Sequence, residues 1–373
     1  MEHVTWAEID LQAIAHNARQ LKGHIGPQTI LCAVVKANGY GHGAHQVAKV
    51  ALDNGAERLA VSRVEEGVEL RHSGIDAPIL VMGYATPAQA ASIVQHRLTP
   101  TVTSWELALA LSAAVAEQAA PALAVHLKID TGLGRFGLLP EEVLDFARAL
   151  RQLPGLLLEG IYSHFSSADE ADTSHTYRQF EMYRQLVSQL GSAGIHAAIH
   201  HIGNSAATLR FPEMHLDMVR CGIALYGLRP SPDTEMPLTL RPAMALKTRV
   251  GRVCTLPPAW GVSYGRDYVT TVPIPVALVP VGYGDGYHRL VSNRGQVLIH
   301  SQRAPMLGRV CMDQFVVDVS RIDSVNPGDE IVLFGQQGQA ELPADEVAAW
   351  AGTINYEVIT SILPRVPRVY LPE

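Results

Sequence analysis

From residue 29 to residue 227 the chain alternates short apolar runs rich in β-branched residues with longer amphipathic stretches. This alternation is typical of parallel strands joined by crossover helices, and eight such repeats predict a closed (β/α)8 barrel of the TIM type. The predicted strands are 29–36, 58–62, 78–83, 98–103, 122–130, 156–164, 197–203 and 214–221. The last repeat is the weakest, because only the short segment 206–211 stands in place of a helix between strands seven and eight.

The stretches between these strands carry the end signals of helices. Ser104 can cap a helix that begins at residue 105, and Gly74 and Gly194 follow two others, where glycine commonly closes a helix in a left-handed conformation. The predicted helices are 44–54, 64–74, 87–96, 105–117, 141–153 and 176–194.

The rhythm changes after about residue 235. Four prolines between residues 230 and 242 mark a linker, and β-rich runs with glycine and proline turns follow it. These runs are 245–255, 269–280, 296–300, 315–319 and 330–334, with one late helix over 343–351. The sequence therefore predicts an α/β barrel domain over residues 1–235 and a smaller, mainly β domain over residues 236–373.

Composition narrows the classes of function. A net charge of −7 over 373 residues, without a run of lysine and arginine, argues against a nucleic-acid surface. No apolar run is long enough to cross a membrane, and the first residues lack the features of a signal peptide, so we expect a cytoplasmic protein. The four scattered cysteines predict neither a disulfide framework nor a metal site; they are Cys32, Cys221, Cys254 and Cys311.

Chemistry in such a barrel is expected at the carboxyl ends of the strands. Strand one ends in Lys36, an amine that is costly to bury unless it is exposed at the mouth or covalently bonded. Strand six ends in His164, and strands seven and eight supply Ser205, Arg220 and Gly222, where barrels commonly bind phosphate. A lysine beside a phosphate cradle suits pyridoxal 5′-phosphate (PLP), which requires an amine for a Schiff base.

Two other patterns point to chemistry that we reject. Residues 132–137 match G-x-G-x-x-G, but they follow the fifth strand and no acidic strand end lies about 20 positions later, as a dinucleotide site requires. His200 and His201 are neighbours on one strand and point to opposite faces, and no third ligand completes a set with His42 and His45. We therefore predict no metal site.

A longer pattern surrounds Lys36. Residues 33–43, Ala-Val-Val-Lys-Ala-Asn-Gly-Tyr-Gly-His-Gly, resemble the PLP-lysine signature of the alanine racemases, which are fold-type III PLP enzymes. Segments with the same resemblance run along nearly the whole chain; they are 128–135, 163–165, 204–206, 220–223, 261–265, 282–283, 311–313 and 354–357. The resemblance implies a homodimer in which the barrel mouth of one subunit faces the β domain of the other.

The resemblance also implies racemisation of L- and D-alanine by two bases, Lys36 on one face of the substrate and Tyr264 of the partner subunit on the other. Positive charge from Arg220 and His164 would lower the pKa of both bases. Arg220 would also face the pyridine nitrogen and leave it unprotonated, because a guanidinium does not readily give up a proton. The reaction would supply D-alanine for peptidoglycan or degrade it.

The remaining site residues follow from the same resemblance. Arg135 and the Met312 N–H would bind the substrate carboxylate, and Lys128 would be carbamylated and so orient Arg135. Tyr283 and Tyr356 would narrow the entrance, and Asp313, next to Met312, would have a supporting role. The residues expected to bind the cofactor are Lys36, Tyr40, His164, Asn204, Ser205, Arg220, Gly222, Ile223 and Tyr356.

Three alternative functions stay open. A PLP decarboxylase or a broader amino-acid racemase could share this fold, although decarboxylation does not require bases on both faces, as Lys36 and Tyr264 imply. A non-catalytic PLP-binding protein would not need Tyr264, Met312 and Asp313 in a β domain. These functions predict different outcomes when the protein is assayed with alanine.

Overall fold

The computed structural model describes residues 3–371. They form two compact units. The barrel unit comprises residues 12–39 and 44–241, and the β unit comprises residues 3–11, 40–43 and 242–371. The predicted division at residue 235 lies a few residues before Pro242, but it assigns residues 3–11 and 40–43 to the barrel, whereas both segments belong to the β unit. Residues 1–2 and 372–373 of the predicted domains lie outside the described residues.

The barrel unit contains eight parallel strands: each of the first six is paired with the next along the chain, and the first is also paired with the eighth. Between the seventh and eighth strands, backbone hydrogen bonds from Asp217 N–H to His200 and from Arg220 N–H to Gly203, both 3.1 Å, close the circle. The strands are Ile30–Val34, Arg58–Val61, Ile79–Val81, Thr99–Val102, Leu123–Lys128, Leu156–Tyr162, Ile199–His201 and Met218–Cys221. The predicted eight-stranded barrel is confirmed.

The helix Leu11–Ile25, which the sequence did not predict, precedes the first barrel strand, and each of the other helices follows a strand. Three helix ends are formed by residues that the sequence indicated. Ser104 Oγ accepts a hydrogen bond from Leu107 N–H at 3.3 Å, and Gly74 and Gly194 take φ angles of +86° and +73° just after their helices. The helices are Leu11–Ile25, Ala44–Asp53, Val64–His72, Ala90–Gln95, Trp105–Glu117, Val143–Leu150, Ser174–Ser192 and Ser205–Arg210. Across residues 3–371 no helix combines the length and the apolar character that crossing a lipid bilayer requires.

The β unit is built on a sheet that is antiparallel apart from one pair. Its N-terminal strand, which the sequence did not predict, lies antiparallel to Met244–Arg249 with Thr5 opposite Thr248. In sheet order the strands are Arg252–Leu256, Ile274–Val279, Phe315–Asp318, Gln302–Leu307, Gln296–Ile299, Glu330–Gln337, Met244–Arg249, Thr5–Ile9 and Arg368–Tyr370. The predicted mainly β domain is confirmed.

Shorter elements complete the β unit. Ala340–Leu342 pairs with Glu330–Gln337, and Gly261–Val262 pairs with Tyr268–Val269 in a separate two-stranded hairpin. The helices are Ala344–Ala351 and Asn355–Thr360. The predicted run 245–255 is two strands in the structure, because the chain leaves one strand at Arg249 and begins another at Arg252 with a different partner.

One glycine in the barrel is required by a side chain that crosses the interior. A Cβ on Gly160, in the sixth strand, would lie 2.5 Å from the ring of His126, which is fully buried in the fifth. Gly160→Ala should therefore shift the His126 ring and lower the free energy of unfolding by about 1–3 kcal/mol, measured by urea denaturation.

Gly23→Ala is the matched control, because Gly23 lies in the helix Leu11–Ile25 and a Cβ there meets no atom within 4 Å. This variant should gain up to about 1 kcal/mol from helix propensity. A Gly160→Ala protein as stable as wild type would show that the ring has room to move.

Candidate active site

The turn that carries Lys36 is left-handed. Ala37, Asn38 and Gly39 follow Lys36 with φ angles of 52°, 53° and 60°, and Tyr40 continues at 51°. A left-handed conformation costs a non-glycine residue roughly 1–2 kcal/mol, so neighbouring contacts must hold this turn. Gly39 N–H donates to the Val35 carbonyl at 2.8 Å, and Ala44 N–H donates to Asn38 Oδ1 at 3.0 Å.

The Lys36 amine is half-buried, and its pKa is lowered. Burial is the larger cause and the charge of Arg135 the second, while Glu66 acts in the opposite direction. We expected positive charge from His164 to contribute, and this was wrong: burial, followed by the charge of Arg220, holds the pKa of His164 well below its usual range. His164 is therefore neutral near pH 7.

Arg220 is a cation almost entirely inside the barrel, with 2% of its surface exposed. Its Nη2 donates to the carbonyls of Ser163 at 2.8 Å and Ile202 at 3.1 Å, and lies 3.1 Å from His164 Nδ1. Its Nη1 donates to His201 Nδ1. Among the described residues the buried Nε has no acceptor. One donor of this guanidinium is thus available to a ligand.

His201 continues from Arg220 into a buried chain of hydrogen bonds. A guanidinium only donates, so His201 Nδ1 must accept and its proton lies on Nε2, which is 2.9 Å from His126 Nδ1. His126 then carries its own proton on Nε2, which is 3.1 Å from Glu159 Oε2. Glu159 also forms a two-bond ion pair with Arg58 at 2.6 and 2.8 Å. Burial lowers the pKa of both histidines, so both are neutral.

The sequence did not predict this chain of hydrogen bonds. The available signal was a set of polar residues inside strands that are otherwise apolar, since a polar group is rarely buried without a partner. Although the barrel holds several histidines, no group of three or more His, Cys, Asp or Glu side chains within residues 3–371 is arranged to hold a metal ion.

The loop after the fifth strand is organised by Asp130. Its carboxylate accepts hydrogen bonds from the N–H groups of residues 132–135 at 2.9–3.0 Å. Burial acts to raise the pKa of Asp130, but these four donors together lower it. The G-x-G-x-x-G match therefore encloses a carboxylate of the protein itself, and the loop presents Arg135 on its exposed side.

Lys128 ends the fifth strand and is 5% exposed. Its Nζ lies 5.0 Å from the centre of the Phe136 ring and 5.6 Å from that of Tyr162. Among the described residues it has no hydrogen-bond or ion-pair partner, although the charge of Asp130 acts to raise its pKa. Burial, then the charges of Arg220 and Arg135, lower the pKa of Lys128 to about 8. A substantial fraction of this amine is neutral near physiological pH.

The ends of the seventh and eighth strands are joined through Ser205. Asn204 caps the helix Ser205–Arg210 by accepting from Ala207 N–H at 3.0 Å. Ser205 Oγ accepts from Gly222 N–H at 3.0 Å, and the backbone N–H of buried Ile223 has no acceptor among the described residues. Backbone donors thus collect at the place where a phosphate was predicted.

In the β unit, three predicted residues share one hollow of about 440 Å³. It is lined by Ser263, Tyr264, Cys311, Met312, Asp313 and Gln314. Tyr264 is 72% exposed and Met312 is 53% exposed, whereas Asp313 is held by Arg365 at 2.7 Å. Tyr283 is also exposed, and its N–H donates to the Cys311 carbonyl beside the hollow at 3.1 Å. The rings of Tyr40 and Tyr356 lie with their centres 6.3 Å apart elsewhere in this unit.

Both halves of the chain match family models. Residues 9–230 match the N-terminal domain of alanine racemase, and residues 243–370 match its C-terminal domain.

The chain belongs to the alanine racemase family.

Individual alanine racemases resemble it over their full length. The alanine racemase of Desulfovibrio desulfuricans is 48% identical over 98% of this chain and 98% of its own. The solved structure from Clostridium difficile 630 has a TM-score of 0.94 at 40% identity, and the one from Bacillus anthracis, solved with bound L-Ala-P, has 0.94 at 38%. Each covers 100% of this chain and 96% of the other. The family resemblance seen in the sequence is confirmed.

The hydrogen-bond chain makes a prediction about acid stability. Burial acts to raise the pKa of Glu159, but the hydrogen bonds from His126 and Arg58 outweigh it and lower this pKa from 4.5 to about 2. A depressed pKa stabilises the folded form fully above the unfolded value and loses that effect as pH falls toward the folded value. Wild type should therefore lose stability between about pH 4.5 and about 2 more steeply than Glu159→Gln, measured by urea midpoints.

The exposed Glu181, on the helix Ser174–Ser192, provides the control of equal charge change. Glu181→Gln should follow the wild-type slope. Equal slopes for wild type and Glu159→Gln would mean that the Glu159 carboxylate contributes nothing to acid stability.

Proposed function

We propose that this chain interconverts L- and D-alanine, with PLP held on Lys36. The observation that carries the proposal is the match of both halves to alanine racemase domains, together with a barrel mouth that contains a half-buried lysine of lowered pKa. The relative from Desulfovibrio desulfuricans, which is named alanine racemase, is 48% identical to this chain over nearly the whole length of both.

The residues of the barrel unit fit this cofactor. The buried Arg220 Nε, which has no acceptor among the described residues, is a donor suited to the pyridine nitrogen. Since a guanidinium keeps its protons, this contact would leave the nitrogen unprotonated. Ser205 and the backbone N–H groups of Gly222 and Ile223 would bind the phosphate, and Asn204 fixes the helix start beside them. His164 supports Arg220.

The remaining cofactor contacts would come from Tyr40 and Tyr356, whose rings are close together in the β unit. When bound, PLP withdraws electrons from the substrate Cα and makes its proton acidic enough to exchange.

Lys36 and Tyr264 would move that proton. The lowered pKa of Lys36 increases its neutral fraction, which is the form that can accept a proton from Cα on one face. Tyr264 of the partner subunit would serve the opposite face. Arg135 would bind the substrate carboxylate with help from the Met312 N–H, and Tyr283 would limit the size of the substrate.

A homodimer is part of this proposal. In the β unit, Tyr264 and Met312 are largely exposed beside a hollow. Proton transfer by Tyr264 and carboxylate binding by the Met312 N–H both need a site that excludes water. Asp313 helps to shape this surface through its ion pair with Arg365. A second copy of the chain that places its barrel mouth here would supply the missing cover.

Racemisation of L-alanine by the purified protein with PLP tests the function directly. Lys36→Ala should abolish D-alanine formation, and Tyr264→Phe should lower kcat by about 10²–10⁴-fold while keeping bound PLP, because each removes one proton carrier. Tyr177→Phe is the control, since this exposed hydroxyl bonds only to Glu213 among the described residues. D-alanine should be detected by a stereospecific coupled assay.

Parallel assays separate the alternative functions. Fast turnover of L-serine or L-lysine would indicate a broader racemase, carbon dioxide release a decarboxylase, and bound PLP without turnover a binding protein. Mixed dimers of Lys36→Ala and Tyr264→Phe subunits should regain activity, because one of their two shared sites has both bases. Mixed dimers without activity would contradict the shared site.

We also propose that Lys128 is carbamylated. A neutral amine is the form that reacts with carbon dioxide, and the pKa of about 8 provides it. The resulting negative group would lie among Arg135 and Arg220, whose charges disfavour the protonated amine. Protein equilibrated with ¹³C-bicarbonate should show a carbamate NMR signal that Lys128→Met lacks.

Loss of the modification should also weaken substrate binding. Lys128→Met should raise the KM for alanine by about tenfold, because Arg135 loses a charged hydrogen-bond partner. Lys22→Met is the control, since Lys22 forms a surface ion pair with Glu57. An unmodified Lys128 in wild type would rule out the carbamate.

A further inference from the structure

Glu66 connects the start of a helix to the turn after Lys36. Its Oε2 accepts hydrogen bonds from Ser62 and Arg63 N–H at 2.8 and 2.9 Å, which is an ordinary way to begin the helix Val64–His72. Its Oε1 accepts from Ala37 N–H at 2.6 Å, across 29 residues of sequence. One carboxylate thus binds both the end of the second strand and the residue next to Lys36.

The bond to Ala37 falls on the strained part of the barrel mouth. Ala37 and Asn38 are both left-handed without being glycine. The far side of the turn is held by Asn38, whose Oδ1 accepts from Ala44 N–H at 3.0 Å. Glu66 holds the near side, at the first peptide after Lys36.

We propose that Glu66 is a positioning residue for Lys36. By binding the Ala37 N–H it holds the left-handed turn in place and so sets the direction of the Lys36 side chain, which lies between the first strand and this turn. The inference rests on the proposed function, because it takes Lys36 as the residue that carries PLP.

The chemistry of the contacts makes an isosteric test possible. All three partners of Glu66 are N–H donors, and both carboxylate oxygens are used. A glutamine has one oxygen and one NH2 group, so Glu66→Gln must place a donor against a donor on one side. Either the Ala37 bond or the helix-start bonds are then lost, with almost no change in volume.

A neighbouring glutamate offers the matched control. Glu69 is on the same helix and is exposed, and its carboxylate has no hydrogen-bond or ion-pair partner among the described residues. Glu69→Gln therefore makes the same change of net charge without touching the turn.

A second variant separates the backbone contact from charge. Glu66 also acts to raise the pKa of Lys36, against the larger effect of burial. Ala37→Gly cannot restore that charge, but glycine adopts the left-handed conformation without steric cost. Adding Ala37→Gly to Glu66→Gln should therefore recover function only if Glu66 acts through the turn.

The experiment compares the PLP-loaded wild type with Glu66→Gln, Glu69→Gln and the Ala37→Gly/Glu66→Gln double variant. PLP affinity, visible circular dichroism of the bound cofactor and thermal unfolding are measured for each. Glu66→Gln should weaken PLP binding by about tenfold, the loss expected for a hydrogen bond to a charged group, and reduce the dichroism. Glu69→Gln should match wild type, and the double variant should recover part of the loss.

Three results would overturn the inference: wild-type affinity and dichroism in Glu66→Gln, a loss that only follows the unfolded fraction, or no recovery in the double variant. Borohydride reduction and peptide mapping of wild type test the proposed function separately. If PLP is not found on Lys36, the proposed function fails. If it is found there and Glu66→Gln behaves as wild type, only the role of Glu66 fails.

Discussion

The barrel depends on keeping the charge of Arg220 inside it. Removing a cation from water costs on the order of several kcal/mol, which must be offset by partners in good geometry. Two carbonyls and two histidine nitrogens surround this guanidinium, and none of them is an anion. The nearest negative group along the hydrogen-bond chain is Glu159, two neutral histidines away. The cation is therefore stabilised by oriented dipoles, and the anion that ends the chain is shared with Arg58.

This arrangement explains much of the packing inside the barrel. Since a guanidinium cannot accept, the tautomers of His201 and His126 are determined in turn, and each ring has one orientation that satisfies both neighbours. Tyr162 stacks on His201 with ring centres 4.6 Å apart, and Gly160 leaves room for His126. Five strands contribute residues to this chain of hydrogen bonds, so the need to bond the Arg220 guanidinium links most of the barrel. The Nε left without an acceptor is then held in a rigid setting, as a ligand donor should be.

The sequence predicted the parts of the structure that local pattern determines. The helix Trp105–Glu117 and the eight barrel strands follow from apolar periodicity and end signals, and the strand-end rule found Lys36 and Arg220. The strand Thr5–Ile9 was missed because its partner, Met244–Arg249, is more than 230 residues away and no local signal reports that pairing. The sequence assigned the lowered pKa of Lys36 to the charges of Arg220 and His164, whereas burial is its largest cause and Arg135 the second, and burial arises only from tertiary packing. Tyr264 and Met312 could be identified only through the family resemblance.

The two proposed bases lie in unlike surroundings, and this difference bears on how the site must be completed. Lys36 already has a lowered pKa within its own unit, because the barrel buries it beside Arg135. Tyr264 is 72% exposed in the β unit, where solvent would compete for its hydroxyl and weaken any directed proton transfer. Proton transfer on either face of Cα is better directed in a site that excludes water. Folding of one chain is therefore enough to bury the Lys36 amine, whereas the Tyr264 hydroxyl can be shielded from water only when two chains associate. Under the proposed mechanism, activity should depend on dimer assembly even where each chain is fully folded.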